Sequence, residues 1–286
     1  MLFRSDDAIL RSMENIWRLR NQVALAFEKN MGGDSIKSQI FVPAGRSYFT
    51  SLGKAVVAFE QSGHLDPITI AFGRLFTALR DRRYFSLHNA ERDKAGVARR
   101  RQLGSKLFGG EIRHEKDKDF VETTDGRKIP FSLLSSGQQE LLPLWTVLEY
   151  AISFSENRLL YIEEPEAHLF PGAQSELVEY LVSLVSNKTK LFITTHSPYV
   201  LSKINVLLKA GSLASSKIKF NESKINAVVD KAYWLKTEQV RAYAFIDNQL
   251  KTIIGSNNLI NADYLDEVSN ELNRDFTKLL EIEFEK

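Results

Sequence analysis

The chain has 286 residues, enough for one large core or for a domain carrying an insertion. It is 43% hydrophobic and 26% charged, an ordinary globular composition, and its formal net charge of +2 leaves any basic surface local rather than global. Cysteine is absent, which excludes disulfide scaffolds, thiolate metal sites and cysteine nucleophiles and fits a reducing compartment.

No apolar run nears the roughly 20 residues that cross a bilayer, and residues 1–7 lack the basic-then-apolar plan of a signal peptide. A soluble, cytoplasmic protein with no membrane partner is expected. Residues 5–29 repeat apolar side chains at helical spacing (Ile9, Met13, Ile16, Val23, Phe27) behind a capping Ser5. Residues 38–42 read as a short buried strand closed by Pro43-Ala-Gly-Arg46. That loop is open to two readings, a phosphate-facing glycine and arginine or an ordinary strand-ending turn. Two helical patterns follow over 49–83, broken near Gly63 to Pro67.

Residues 78–118 are crowded with base, including Arg82, Arg83, Arg99, Arg100, Arg101, Lys106 and Arg113, and hold few large apolar residues. We expect an exposed helical arm inserted on the core. Its basic side chains form either a solvated face or a contact for a DNA or RNA backbone, where clustered Lys and Arg displace condensed counterions. Residues 109–129 alternate as a strand pair with a turn at Asp125-Gly126. Residues 225–235 and 240–254 read as strands, the second folding at Asp247-Asn248, and 261–284 as an amphipathic helix.

The stretch 131–200 carries the chemistry. Ser136 followed by Gln139 predicts a capping box with the helix beginning at Gly137, where bare backbone N–H groups attract anions and the missing Cβ lets a phosphate approach. Pro143 should bend that helix. Residues 158–162 form a short apolar run suited to a central parallel strand buried on both faces, and it ends in Glu163-Glu164. Ligands of open α/β sheets collect beyond the carboxyl ends of strands. Adjacent carboxylates there point different ways, one toward a metal and one toward substrate. Glu163, Glu164 and Glu166 equally read as acids complementing a helix dipole. A helix over 173–185 leads to a second strand, 190–194, which ends in Thr195-His196-Ser197 at the same sheet edge.

These residues resemble the ATP-binding-cassette superfamily, specifically the soluble heads related to DNA-repair and chromosome-structure ATPases. The bacterial AAA family ATPases of the overcoming-lysogenization-defect and Septu-type defence group are the subgroup meant. Leu134-Ser-Ser-Gly-Gln138 resembles the signature motif, with Ser136 for its first glycine. Leu159-Leu-Tyr-Ile-Glu-Glu164 resembles the Walker B strand, with Glu163 for the usual aspartate. Glu-Pro-Glu-Ala-His-Leu-Phe-Pro and Thr-Thr-His-Ser-Pro resemble the subgroup's Walker B extension and switch histidine.

The resemblance implies an α/β P-loop NTPase head with a mainly parallel central sheet, a basic helical insertion and a C-terminal β-hairpin plus helix. Its parts are an incomplete ATPase core (1–77), the insertion (78–118), the motif-bearing core (119–210) and the hairpin and helix (211–286). It implies Mg-dependent ATP hydrolysis with ATP and Mg²⁺ as cofactors. Glu163 would hold the metal, Glu164 would orient the attacking water and His196 would contact the γ-phosphate. Ser135, Ser136, Gly137 and Gln138 would clamp nucleotide held by a second head. The resemblance further implies ATP-driven dimerisation acting on nucleic acid in anti-phage defence with a nuclease partner.

One element departs from the pattern. No stretch reads Gly-x-x-x-x-Gly-Lys-Ser/Thr, and Gly53-Lys54-Ala55 is the nearest. A preceding segment or another polypeptide is expected to supply that loop; otherwise the chain is a non-catalytic scaffold.

Overall fold

The computed structural model describes residues 36–52, 65–81, 94–115, 118–153, 157–186, 188–216, 220–261 and 263–284. The helical pattern at 5–29, the Gly53-Lys54-Ala55 stretch, Arg82 and Arg83 lie outside them. In chain order the elements are β1 (Ser38–Val42), α1 (Ser47–Leu52), α2 (Pro67–Asp81), α3 (Lys94–Phe108), β2 (Gly110–Glu115), β3 (Lys118–Thr123) and β4 (Lys128–Pro130). Then come α4 (Ser136–Ile152), β5 (Arg158–Glu163), α5 (Pro171–Leu184), β6 (Thr189–Thr194), α6 (Pro198–Ala214), α7 (Glu222–Val228), β7 (Tyr243–Ile246), β8 (Gln249–Thr252) and α8 (Asp263–Phe284).

The fold is α/β. Its central sheet runs β1-β5-β6 among the described residues, and both pairings are parallel. Register sets Val42 opposite Ile162 and Glu163 opposite Thr194, so the carboxyl ends of all three strands finish at one edge. Leu160 and Ile162 are fully buried, whereas Tyr161 and Glu163 are half-buried and Phe192 on β6 is exposed. The expectation that β5 is buried on both faces therefore holds for only one of them.

The buried face, with Leu160 and Ile162, shares one core with α4, whose Leu141, Leu142, Leu144, Val147 and Leu148 are almost wholly shielded from water. Each such side chain contributes about 1.5–3 kcal/mol by leaving water, which holds α4 as one helix through Pro143. Helices α1 and α2 pack on α4, while α3 packs on α5 and β2.

The described helix of the basic segment, α3, is not an exposed arm. Leu103, Leu107 and Phe108 turn the inner side of α3 into the core. Gly104 lets that helix close on Trp145, because a Cβ there would lie 2.8 Å from the indole. The expected strand pair over 109–129 is a three-stranded antiparallel sheet, β2-β3-β4. Residues 225–235 do not form a strand. They form the end of α7, whose N-cap Asn221 accepts from the Lys224 N–H, and a 3-10 turn at Lys231–Tyr233 capped by Asp230. The β7–β8 hairpin turns at Asp247 and Asn248, both left-handed at φ 54° and 59°. Helix α8 follows, with Leu272, Phe276 and Leu279 exposed.

Candidate active site

Two strand tips form the site. β5 ends at Glu163, and Glu164 leaves the strand with φ 39°, a left-handed conformation that non-glycine residues rarely adopt. Its amide is held by the Thr194 carbonyl of β6 at 3.0 Å. The strained turn separates the two acids. Glu163 Oε2 accepts from the Ala44 N–H at 3.2 Å, toward β1. Glu164 faces β6, and its Oε1 lies 3.5 Å from His196 Nε2. The His196 side chain is 87% exposed and that of Glu164 43% exposed, so both reach solvent from one patch.

Glu166 joins the two tips from below. It is 7% exposed, and Oε1 accepts from both the Thr195 hydroxyl and the His196 N–H. Glu166 Oε2 is buried with no partner among the described residues. Glu166 is thus no dipole-complementing surface acid; it fixes the backbone that carries His196. Ser197 caps α6 by accepting from the Tyr199 and Val200 N–H groups, which aims the start of a 17-residue helix at the same patch.

Arg46 lies under the tips and does not face a phosphate. It is 0% exposed, and its guanidinium is enclosed by backbone carbonyls of the β1 loop, α4 and the β5 tip. Burial lowers its pKa below the usual arginine range, with the Glu140 carboxylate opposing that shift most strongly.

The start of α4 corrects the expectation in three ways. The capping box is Ser135 with Gln138, one residue earlier than read, so the helix begins at Ser136. Gln139 instead donates to the Leu134 carbonyl at 2.8 Å. Gln138 is engaged within the chain, donating to the Phe108 carbonyl at 2.8 Å while its Oε1 accepts from Ser135. Gly137 is buried, and a Cβ there would sit 2.6 Å from the His168 carbonyl. What approaches the missing side chain is the chain's own His168 turn rather than a phosphate. Ser135 and Ser136 remain exposed at this helix start, as are Leu133 at 73% and Phe170, next in sequence to the His168–Leu169 turn on Gly137, at 86%.

The donor set suits a divalent cation held largely by its substrate. Mg²⁺ is commonly bound through one or two carboxylates together with water and phosphate oxygens. Glu163 and Glu164 meet that need, and no cluster of three metal-ligating side chains occurs among the described residues.

Residues 86–201 match the family model described as an AAA ATPase domain. That span contains α4, both strand tips and His196. No curated protein sequence matches the chain. Among solved structures 33 chains match. One comes from work on ATP-driven dimerization and DNA-stimulated activation of SMC ATPases, with a TM-score of 0.38 at 12% identity, over 71% of this chain and 96% of that one.

Proposed function

We propose that the β5 and β6 tips form the hydrolytic half of an ATPase site. The observation that carries this reading is the 3.5 Å approach of Glu164 to His196 at the carboxyl edge of neighbouring parallel strands. The match of residues 86–201 to an ATPase domain supports it. Glu164 accepts a hydrogen bond from the attacking water and aims it. His196 contacts the γ-phosphate. Glu163 would hold Mg²⁺, which when bound would supply neutralisation of phosphate charge. Phosphoryl transfer asks a protein mainly for placement and charge stabilisation, which two short polar strand tips anchored on one core can provide.

The exposed Ser135-Ser136 helix start, together with exposed Leu133 and Phe170, is the face offered to a second head. Nucleotide between two heads stabilises the pair by mass action. Coupling of that pairing to nucleic acid and to a nuclease in anti-phage defence belongs to the same proposal, as does a cytoplasmic location.

The test is Mg-ATP turnover by the protein together with the segment or partner that supplies the Gly-x-x-x-x-Gly-Lys-Ser/Thr loop, and by the same assembly carrying Glu164→Gln. We expect a fall of at least roughly 100-fold in kcat with ATP binding retained, and undiminished turnover removes the reading. A scaffold without turnover is the second reading, favoured by the lack of a Gly-x-x-x-x-Gly-Lys-Ser/Thr stretch among the 286 residues. It predicts no binding heat on titrating Mg-ATP even when a segment or partner carrying that loop is supplied.

A further inference from the structure

We propose that Arg46 is the positioning residue for Glu164, a role that rests on the ATPase reading above. An arginine carries five N–H donors in a rigid planar fork, and here each meets a different carbonyl. Nε donates to Glu140 O at 3.0 Å, and Nη1 to Pro43 O at 3.0 Å and Glu163 O at 2.9 Å. Nη2 donates to Glu164 O at 3.2 Å and Pro165 O at 3.1 Å. The Arg46 backbone N–H donates to Glu140 Oε2 at 2.8 Å, and that carboxylate compensates the buried cation.

The three β5-tip carbonyls belong to consecutive residues. The Glu163 carbonyl lies in the peptide plane before Glu164, and the Glu164 carbonyl lies in the plane after it. Holding both planes fixes the rotation of Glu164 about its own Cα, which is how φ 39° persists in a residue that disfavours it. Arg46 makes these bonds to backbone and leaves the Glu164 carboxylate free to face His196. It therefore acts through Glu164 and touches no reacting atom.

The arrangement also places Arg46 where three elements meet: the loop after β1, the first turns of α4 and the β5 tip. A change at any of them reaches Glu164 through one guanidinium. Lysine preserves the charge but has three donors on a single atom and no plane, so it cannot hold both peptide units.

The experiment measures Mg-ATP turnover by the native protein, Arg46→Lys, Glu164→Gln and the double variant, with thermal unfolding of each. We expect Arg46→Lys to lower kcat by roughly 10- to 100-fold, the effect of a slight misplacement of a reacting group, with KM for ATP changed less than about twofold. The residual rate of the double variant should equal that of Glu164→Gln alone, because a residue acting only through Glu164 has nothing further to lose. Unchanged kcat in Arg46→Lys, a parallel loss of ATP affinity, or losses that multiply in the double variant each overturn the proposal while leaving Glu164 in its role. Full turnover by Glu164→Gln overturns both readings. Should Arg46→Lys fail to fold, Glu140→Gln replaces it. That change removes the counter-charge and no donor of Arg46, and a several-fold fall in kcat at constant KM is expected, with no fall overturning the proposal.

Discussion

The β5 and β6 tips and helix α3 both gather ionisable side chains, and the two regions use them differently. At the tips Glu164 and His196 reach solvent side by side. On α3 Arg99, Arg100 and Lys106 are each paired with an acid within the chain. Arg100 Nε lies 3.4 Å from Glu149 Oε1, Lys106 bonds Glu176, and Arg99 approaches Asp230 at 3.7 Å. Beyond the helix, Arg80 meets Asp119 and Arg113 meets Glu111 and Glu122. A run of base in a sequence therefore says little about a ligand until its partners are known, whereas exposed groups converging on one sheet edge point outward.

Breaking the pairing on α3 gives the largest expected effect. Arg100 and Glu149 are mostly shielded, and the Tyr180 hydroxyl donates to the same Glu149 oxygen at 3.0 Å beneath the stacked Trp145 ring. Arg100→Ala strands the carboxylate and should cost about 3 kcal/mol in urea unfolding, with ATP turnover unchanged. Burial already raises the Glu149 carboxyl above its ordinary 4.5, while Arg100 and the Tyr180 hydroxyl pull it back. A group that binds its proton more tightly folded than unfolded makes stability fall as pH rises from about 4.5 through the raised value. Arg100→Ala should deepen that fall and Glu149→Gln should abolish it, both visible as a difference from the parent in melting curves across pH.

At the tips the same operation should do the reverse. His196→Ala removes an exposed ring, so stability should stay within about 0.5 kcal/mol. Its turnover should drop roughly 100-fold, about 2.7 kcal/mol in barrier. A variant that loses stability in step with rate would make His196 a structural residue and erase the contrast. Tyr180→Phe is the milder counterpart in the other region, about 1 kcal/mol of stability for one hydrogen bond with no change in kcat.

How far these regions were readable in the sequence follows the range of the interactions involved. The strand tips were legible because short apolar runs ending in Glu163-Glu164 and Thr195-His196 are local patterns. The α4 start was read one residue late because Ser135 with Gln138 and Ser136 with Gln139 are equally good capping pairs. The Phe108 carbonyl, 30 residues away, decides between them by binding Gln138. Gly137 looked open to a phosphate and the Arg46 loop was open to two readings, and contacts of the same long range bear on both. The His168 turn, itself left-handed at φ 61°, covers the first, and carbonyls from 94 to 119 residues away enclose the second. The stretch 225–235 is a different failure. Its Ile225, Val228 and Val229 suggested a strand, although the caps that win, Asn221 and Asp230, were present in the sequence.

The smallest expected effect sharpens the comparison within α3 itself. Arg101 is exposed and has no ion-pair partner among the described residues, unlike Arg99 and Arg100 beside it. If the helix meets a nucleic-acid backbone, Arg101→Glu should weaken duplex DNA binding and flatten the dependence of log K on log salt by about one contact. Arg99→Gln should act less, since its half-exposed pair with Asp230 is worth little to fold or ligand. Fluorescence anisotropy across salt separates these outcomes. An unchanged slope in Arg101→Glu would make α3 a solvated face packed by its own acids, and any nucleic-acid contact would then have to come from basic residues elsewhere on the chain.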